Sequence, residues 1–170
     1  VGVSFGGIVA ATAAGIDGRF SRAVLVLAGG DLMNVIGVSW ETAEIAKQIA
    51  ALPPAKRRAI VARIKQFDPV AHAPKLAALV RRGRVLMFNA AEDEVIPPAC
   101  TRKLAAAMGM TGKVAWQEGL GHYTMIGALS DILDRSTDFF AADLPADYRA
   151  ARTAPPAAAR PPLAALLLDL

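Results

Sequence analysis

The stretch Gly2-Val3-Ser4-Phe5-Gly6-Gly7, followed at once by the small-residue run at 8–14, constrains the fold more than any other part of the chain. A serine with glycines two residues before and two after suits a sharp turn from a strand into a helix, where side chains would crowd. Such a turn lifts Ser4 Oγ off the sheet. It also sets the backbone N–H of Phe5 at a helix N-terminus, where partial positive charge collects and an oxyanion is stabilised. Ala10, Ala11, Ala13 and Ala14 predict a helix that packs closely on a sheet, with Gly15 as its C-cap. The same residues also fit a plainer reading, a turn serine that caps a helix.

The rest of the chain supplies the sheet. Residues 23–28 form an unbroken apolar run closed by Gly29-Gly30, which suits a parallel strand buried on both faces. Residues 84–89 read as a second such strand and 114–118 as a weaker one. Helical patterns fall between and after them, at 73–80, 98–108 and 125–140. Residues 31–66 form a longer excursion with two helices, 41–51 and 56–66, separated by Pro53-Pro54. Strands alternating with helices predict an α/β fold, a parallel sheet with helices on both faces. Such sheets carry their sites at the carboxyl ends of the strands. Ser4, Asp93 and His122 each follow a predicted strand.

These residues carry a resemblance. Gly2-x-Ser4-x-Gly6 is similar to the nucleophile elbow of the α/β-hydrolases. Residues 90–97, with Asp93 and Val95-Ile96-Pro97, resemble the segment carrying the family's acid, with Ala90 in place of its usual glycine. Gly121-His122 resembles the segment carrying its histidine, and the order Ser4, Asp93, His122 is that of the family's triad. The resemblance runs over residues 2–140. It implies Ser4 as nucleophile, His122 as general base and acid, Asp93 as the carboxylate that orients the imidazole, and Phe5 N–H as one oxyanion donor. It further implies a serine esterase similar to the carboxylesterase or dienelactone-hydrolase-like members, acting on a small-molecule ester without cofactor or metal. A peptidase of the prolyl-oligopeptidase kind is a variant; an Asp-nucleophile dehalogenase is disfavoured by Ser4. Residues 31–66 would then be a small helical cap.

Because the elbow stands at residues 2–6, the expectation is the C-terminal part of a larger hydrolase, with a partial domain over 1–144 and a Pro/Ala-rich tail over 145–170. The upstream strands of the family's sheet, and the loop bearing its second oxyanion donor, would be missing. An exposed sheet edge and self-association through it are expected on that account. The alternative, from a different class, is a truncated remnant or binding module that keeps the triad residues without a complete site.

Composition narrows the classes further. Of 170 residues 54% are apolar, enough for a core, and no stretch is long enough to span a membrane. The net charge of +4 comes from dispersed Arg without aromatic interleaving, which does not point to nucleic acid. The single cysteine, Cys100, permits no internal disulfide and reads as a small buried packing residue. Glu92 and Glu94 flank Asp93, so the acid is assignable to within one residue. His72, the only other histidine, reads as a structural or surface residue in a loop before a helix. The basic residues between 56 and 65 read as a solvated helix face.

Overall fold

The computed structural model describes residues 1–144; the tail expected over 145–170 lies outside them. The chain divides into two compact units, Val1–Ser136 and Thr137–Leu170. The sheet and the candidate site belong to the first. In the second, the rings of Phe139 and Phe140 meet edge to face at 5.6 Å.

The first unit is α/β. Four strands form one parallel sheet in the order β1 (Gly2–Val3), β2 (Ala23–Val26), β3 (Val85–Ala90) and β4 (Ala115–Gln117). Val26 pairs with Val3 on one side and Phe88 on the other, so the carboxyl ends of the central strands lie level. All four residues of β2 are buried, the burial expected of an interior parallel strand with an unbroken apolar sequence. Alternation splits them: Ala23 and Leu25 join Val85 and Met87 in one core, while Val24, Val26 and Phe88 turn to the opposite face.

Among the described residues seven helices accompany the strands: α1 (Phe5–Ile16), α2 (Leu32–Val38), α3 (Ala43–Ala51), α4 (Pro54–Phe67), α5 (Pro69–Arg81), α6 (Pro98–Met108) and α7 (Leu129–Ala141), the last continuing into the second unit. Helices α1, α5 and α6 cover the first face, inserting Ala11, Ala14, Leu76, Leu104 and Met108 against Leu25 and Met87. On the second face the Arg135 guanidinium lies 4.6 Å from the centre of the Phe88 ring.

Several local expectations are revised. Helix α1 runs past Gly15, and its C-cap is Asp17. Gly15 serves packing instead, because a Cβ there would stand 2.6 Å from Cβ of His72 on α5. His72 therefore lies within a helix rather than before one; its Nε2 is 2.8 Å from the Gln66 carbonyl oxygen. The excursion holds one more helix than expected, α2, and the helix expected over 41–51 begins as a 3-10 turn at Trp40–Thr42 before α3. Neither α3 nor α4 contributes a buried residue.

Two polar connections position the strand ends. Asp68 caps α5 by accepting the Val70 N–H at 3.0 Å. The same carboxylate accepts the N–H groups of Asp31 and Leu32 at 3.1 and 2.7 Å, holding the start of α2. At the ends of β2 and β3, Asn89 donates to the Ala28 carbonyl and to Thr101 Oγ1, and Thr101 donates to the same carbonyl. Cys100 is buried beside this network, and burial pushes its thiol above the ordinary value.

Candidate active site

Ser4 follows β1 and precedes α1 with φ 56° and ψ −125°. A residue with a side chain pays strain in that region, and the surrounding backbone holds it there. Ser4 N–H donates to Val26 O at 2.9 Å, while Ser4 O accepts from Gly7 and Ile8, starting the helix. The glycines divide their work differently from the expectation. A Cβ on Gly2 would lie 2.1 Å from Gly6 O, and one on Gly7 would lie 2.7 Å from Val26 O. One on Gly6 would meet nothing within 4 Å. The tight crossing of strand and helix needs Gly2 and Gly7, whereas Gly6 faces open space.

The serine side chain makes no cap hydrogen bond, so the plainer helix-capping reading does not describe it. Ser4 Oγ lies 2.8 Å from His122 Nε2 instead, across 118 positions of sequence. His122 Nδ1 in turn lies 2.9 Å from both carboxylate oxygens of Asp93. Asp93 is buried, and its Oδ1 also accepts the N–H groups of Val95 and Ile96 at 2.9 and 2.7 Å. That turn selects Asp93 from its acidic neighbours as the carboxylate facing the imidazole.

Glu94 has a separate place that sequence reasoning missed. Its Oε2 accepts the backbone N–H of His122 at 2.9 Å. A Cβ on Gly121 would come within 2.5 Å of that oxygen, so Gly121 leaves room for the bond. Further bonds join the two loops: Glu92 N–H donates to Leu120 O, and Ala91 N–H to Gln117 O, each at 3.0 Å. The loop carrying His122 is thereby fastened to the loop carrying Asp93.

Burial pulls the His122 pKa down, but the hydrogen bond and charge of Asp93, joined by the charges of Glu41 and Glu94, outweigh it. The net effect is a value above the ordinary 6.5. An imidazole so placed can accept a proton from the Ser4 hydroxyl, and the carboxylate behind it stabilises the imidazolium that results. The N–H of Phe5 opens helix α1, where no intrahelical acceptor exists for it.

A cavity of about 380 Å³ adjoins Ser4 and His122. Val26 and Leu27 line it from the end of β2, and Met125, Ile126 and Ile132 from the segment after His122. Leu27 is itself at φ 50°. Glu41, from the 3-10 turn of the excursion, and Tyr123 complete the polar lining. The Tyr123 hydroxyl donates to the Glu41 carboxylate, and the Trp40 ring lies 6.3 Å from that of Tyr123. None of these last three was singled out from sequence; a Trp-Glu pair at the start of a predicted helix carries no signal of what it will face.

Among the described residues no cluster of His, Cys, Asp or Glu could hold a metal ion, and no helix is long and apolar enough to cross a membrane. No protein-family model matches the chain, and no curated protein matches it.

Proposed function

We propose that the protein is a serine hydrolase of the α/β-hydrolase kind that cleaves carboxylic esters through Ser4, His122 and Asp93. The observation that carries this reading is the unbroken relay from Ser4 Oγ to His122 Nε2 at 2.8 Å and from His122 Nδ1 to Asp93 at 2.9 Å. It begins at a serine held in strained backbone at a helix N-terminus.

In the first half-reaction His122 takes the hydroxyl proton while Ser4 Oγ bonds to the carbonyl carbon. The carbonyl oxygen becomes an oxyanion beside the Phe5 N–H. Collapse breaks the ester C–O bond, and His122 returns the proton to the departing alkoxide, leaving an acyl-serine. In the second half-reaction His122 removes a proton from water as it attacks the acyl carbon. The acid is released and Ser4 regains its proton. Asp93 keeps the imidazole in the tautomer that presents a free Nε2 to the hydroxyl and stabilises the charged intermediate. The helical excursion, which brings Glu41 to the cavity, acts as a small cap.

Intact-mass analysis after treatment with a fluorophosphonate tests this directly. A single adduct, lost in Ser4→Ala, is expected. A folded chain that takes no adduct would instead be a remnant or binding module.

A further inference from the structure

The cavity beside Ser4 is one-sided in charge. None of the described residues that line it is Lys or Arg, and most of its wall is apolar. The Glu41 carboxylate is part of its lining and accepts the Tyr123 hydroxyl. The Tyr123 ring lies edge-on to His122 at 5.5 Å, so Glu41 is tied to the same loop that presents the imidazole to Ser4. Asp93 and Glu94 add two further carboxylates on the other sides of His122. The charge of Glu41 reaches the imidazole, as its contribution there shows.

An acyl group ending in a carboxylate would have to leave water for an apolar wall, with no Lys or Arg among the described lining residues to pair with and a like charge in the lining. Desolvation and repulsion act in the same direction. An uncharged alkyl chain meets neither obstacle and gains from burial. The volume of about 380 Å³ is near the lower end of the roughly 300–1,000 Å³ of small-molecule sites, which suits a short chain.

Resting on the ester-hydrolase reading above, we infer that this site takes esters of short, uncharged, apolar acyl groups, and that Glu41 makes it reject acyl groups ending in a carboxylate. Glu41 is thus a specificity-determining residue of the helical excursion rather than a participant in the bond chemistry.

Rates of the full chain on p-nitrophenyl butyrate and on mono-p-nitrophenyl succinate provide the test, since the two acyl groups have equal carbon counts and differ at the terminal carboxylate. The kcat/KM for butyrate is expected to exceed that for succinate by about tenfold or more. Glu41→Gln removes the charge and keeps an acceptor for Tyr123; it is expected to favour succinate by about threefold or more relative to butyrate. Raising salt toward about 1 M should narrow the unmodified protein's preference in the same direction. Tyr123→Phe leaves the carboxylate charge in place and is expected to retain the discrimination.

Equal kcat/KM for the two esters, or a ratio insensitive to both Glu41→Gln and salt, overturns the assignment and leaves the Ser4 chemistry standing. A fluorophosphonate adduct on Ser4 without turnover of butyrate does the same. Absence of both turnover and adduct overturns the ester-hydrolase reading itself, and this inference with it.

Discussion

Ser4 and His122 meet at 2.8 Å because two loops are held independently. One is the strained turn into α1, and the other is fastened through Asp93 and Glu94. The chemistry of the site therefore depends on the protonation of one imidazole. In the proposed mechanism His122 acts as a base only when neutral, and, although burial opposes it, Asp93 holds its pKa above the ordinary 6.5. The acid limb of kcat/KM against pH is expected to have its midpoint above that value. Glu94→Gln, which removes a nearby negative charge, should move the midpoint down toward it; a profile unmoved by this change would show that Glu94 acts on the loop alone. The same shift has a consequence for stability. Because the folded value is raised, the His122–Asp93 pair contributes fully below the unfolded value of about 6.5 and its contribution is lost as pH rises through the folded value. Thermal unfolding followed across that interval measures it. Asp93→Asn keeps the shape of the carboxylate but disturbs the imidazole tautomer, and a fall in kcat of about 10⁴-fold is expected from steady-state rates.

Helix boundaries place these residues, and Asp68 sets two of them. Read in sequence, Asp68-Pro69 is a break between helices. Folded, its carboxylate caps α5 and also holds the N-terminus of α2, 36 and 37 positions away. A side chain that closes two helix ends is worth more than an ordinary cap. Asp68→Ala is expected to lower unfolding stability by about 2–4 kcal/mol, read from urea denaturation. A loss below about 1 kcal/mol would mean that water replaces the carboxylate at both ends. Since α2 leads into the turn that carries Glu41, the same variant should weaken discrimination between neutral and anionic esters. The local signals that succeeded at this scale were those with short-range causes. Pro98 and the left-handed Gly109 bound α6 at the positions predicted, because N1 proline and C′ glycine act within one turn. Gly15 failed as a C-cap because its neighbour is His72, a contact that no short-range rule contains.

In the first unit, several exposed apolar side chains border the start of the sheet. Val1, Val3, Phe5 and Val9 are all exposed, Phe5 to 74%. Strand β1 pairs only with β2 among the described residues. An accessible strand edge bordered by apolar side chains favours pairing with a second copy. The sedimentation coefficient is accordingly expected to rise with protein concentration, and Val3→Lys, which places a charge at that edge, should reduce the rise. A sedimentation coefficient independent of concentration would remove this expectation.

What the sequence determined by itself were the features with local or periodic causes. The apolar run at 23–28 suited an interior strand, the alternation of strands and helices pointed to an α/β sheet, and the glycines around Ser4 suited a sharp turn from strand to helix. The resemblance to the α/β-hydrolase motifs, at positions that follow predicted strands, singled out Ser4, His122 and the acid at Asp93 to within one residue. Only the tertiary structure decided which carboxylate faces the imidazole. Asp93 is turned inward by the Val95 and Ile96 N–H groups, and Glu94 is turned to the His122 backbone. It alone brought Glu41 and Tyr123 together across 82 positions of sequence. The physical reason is the same in both cases. Backbone periodicity is written into neighbouring residues, whereas the charge that surrounds a site is the sum of groups that folding collects from distant parts of the chain.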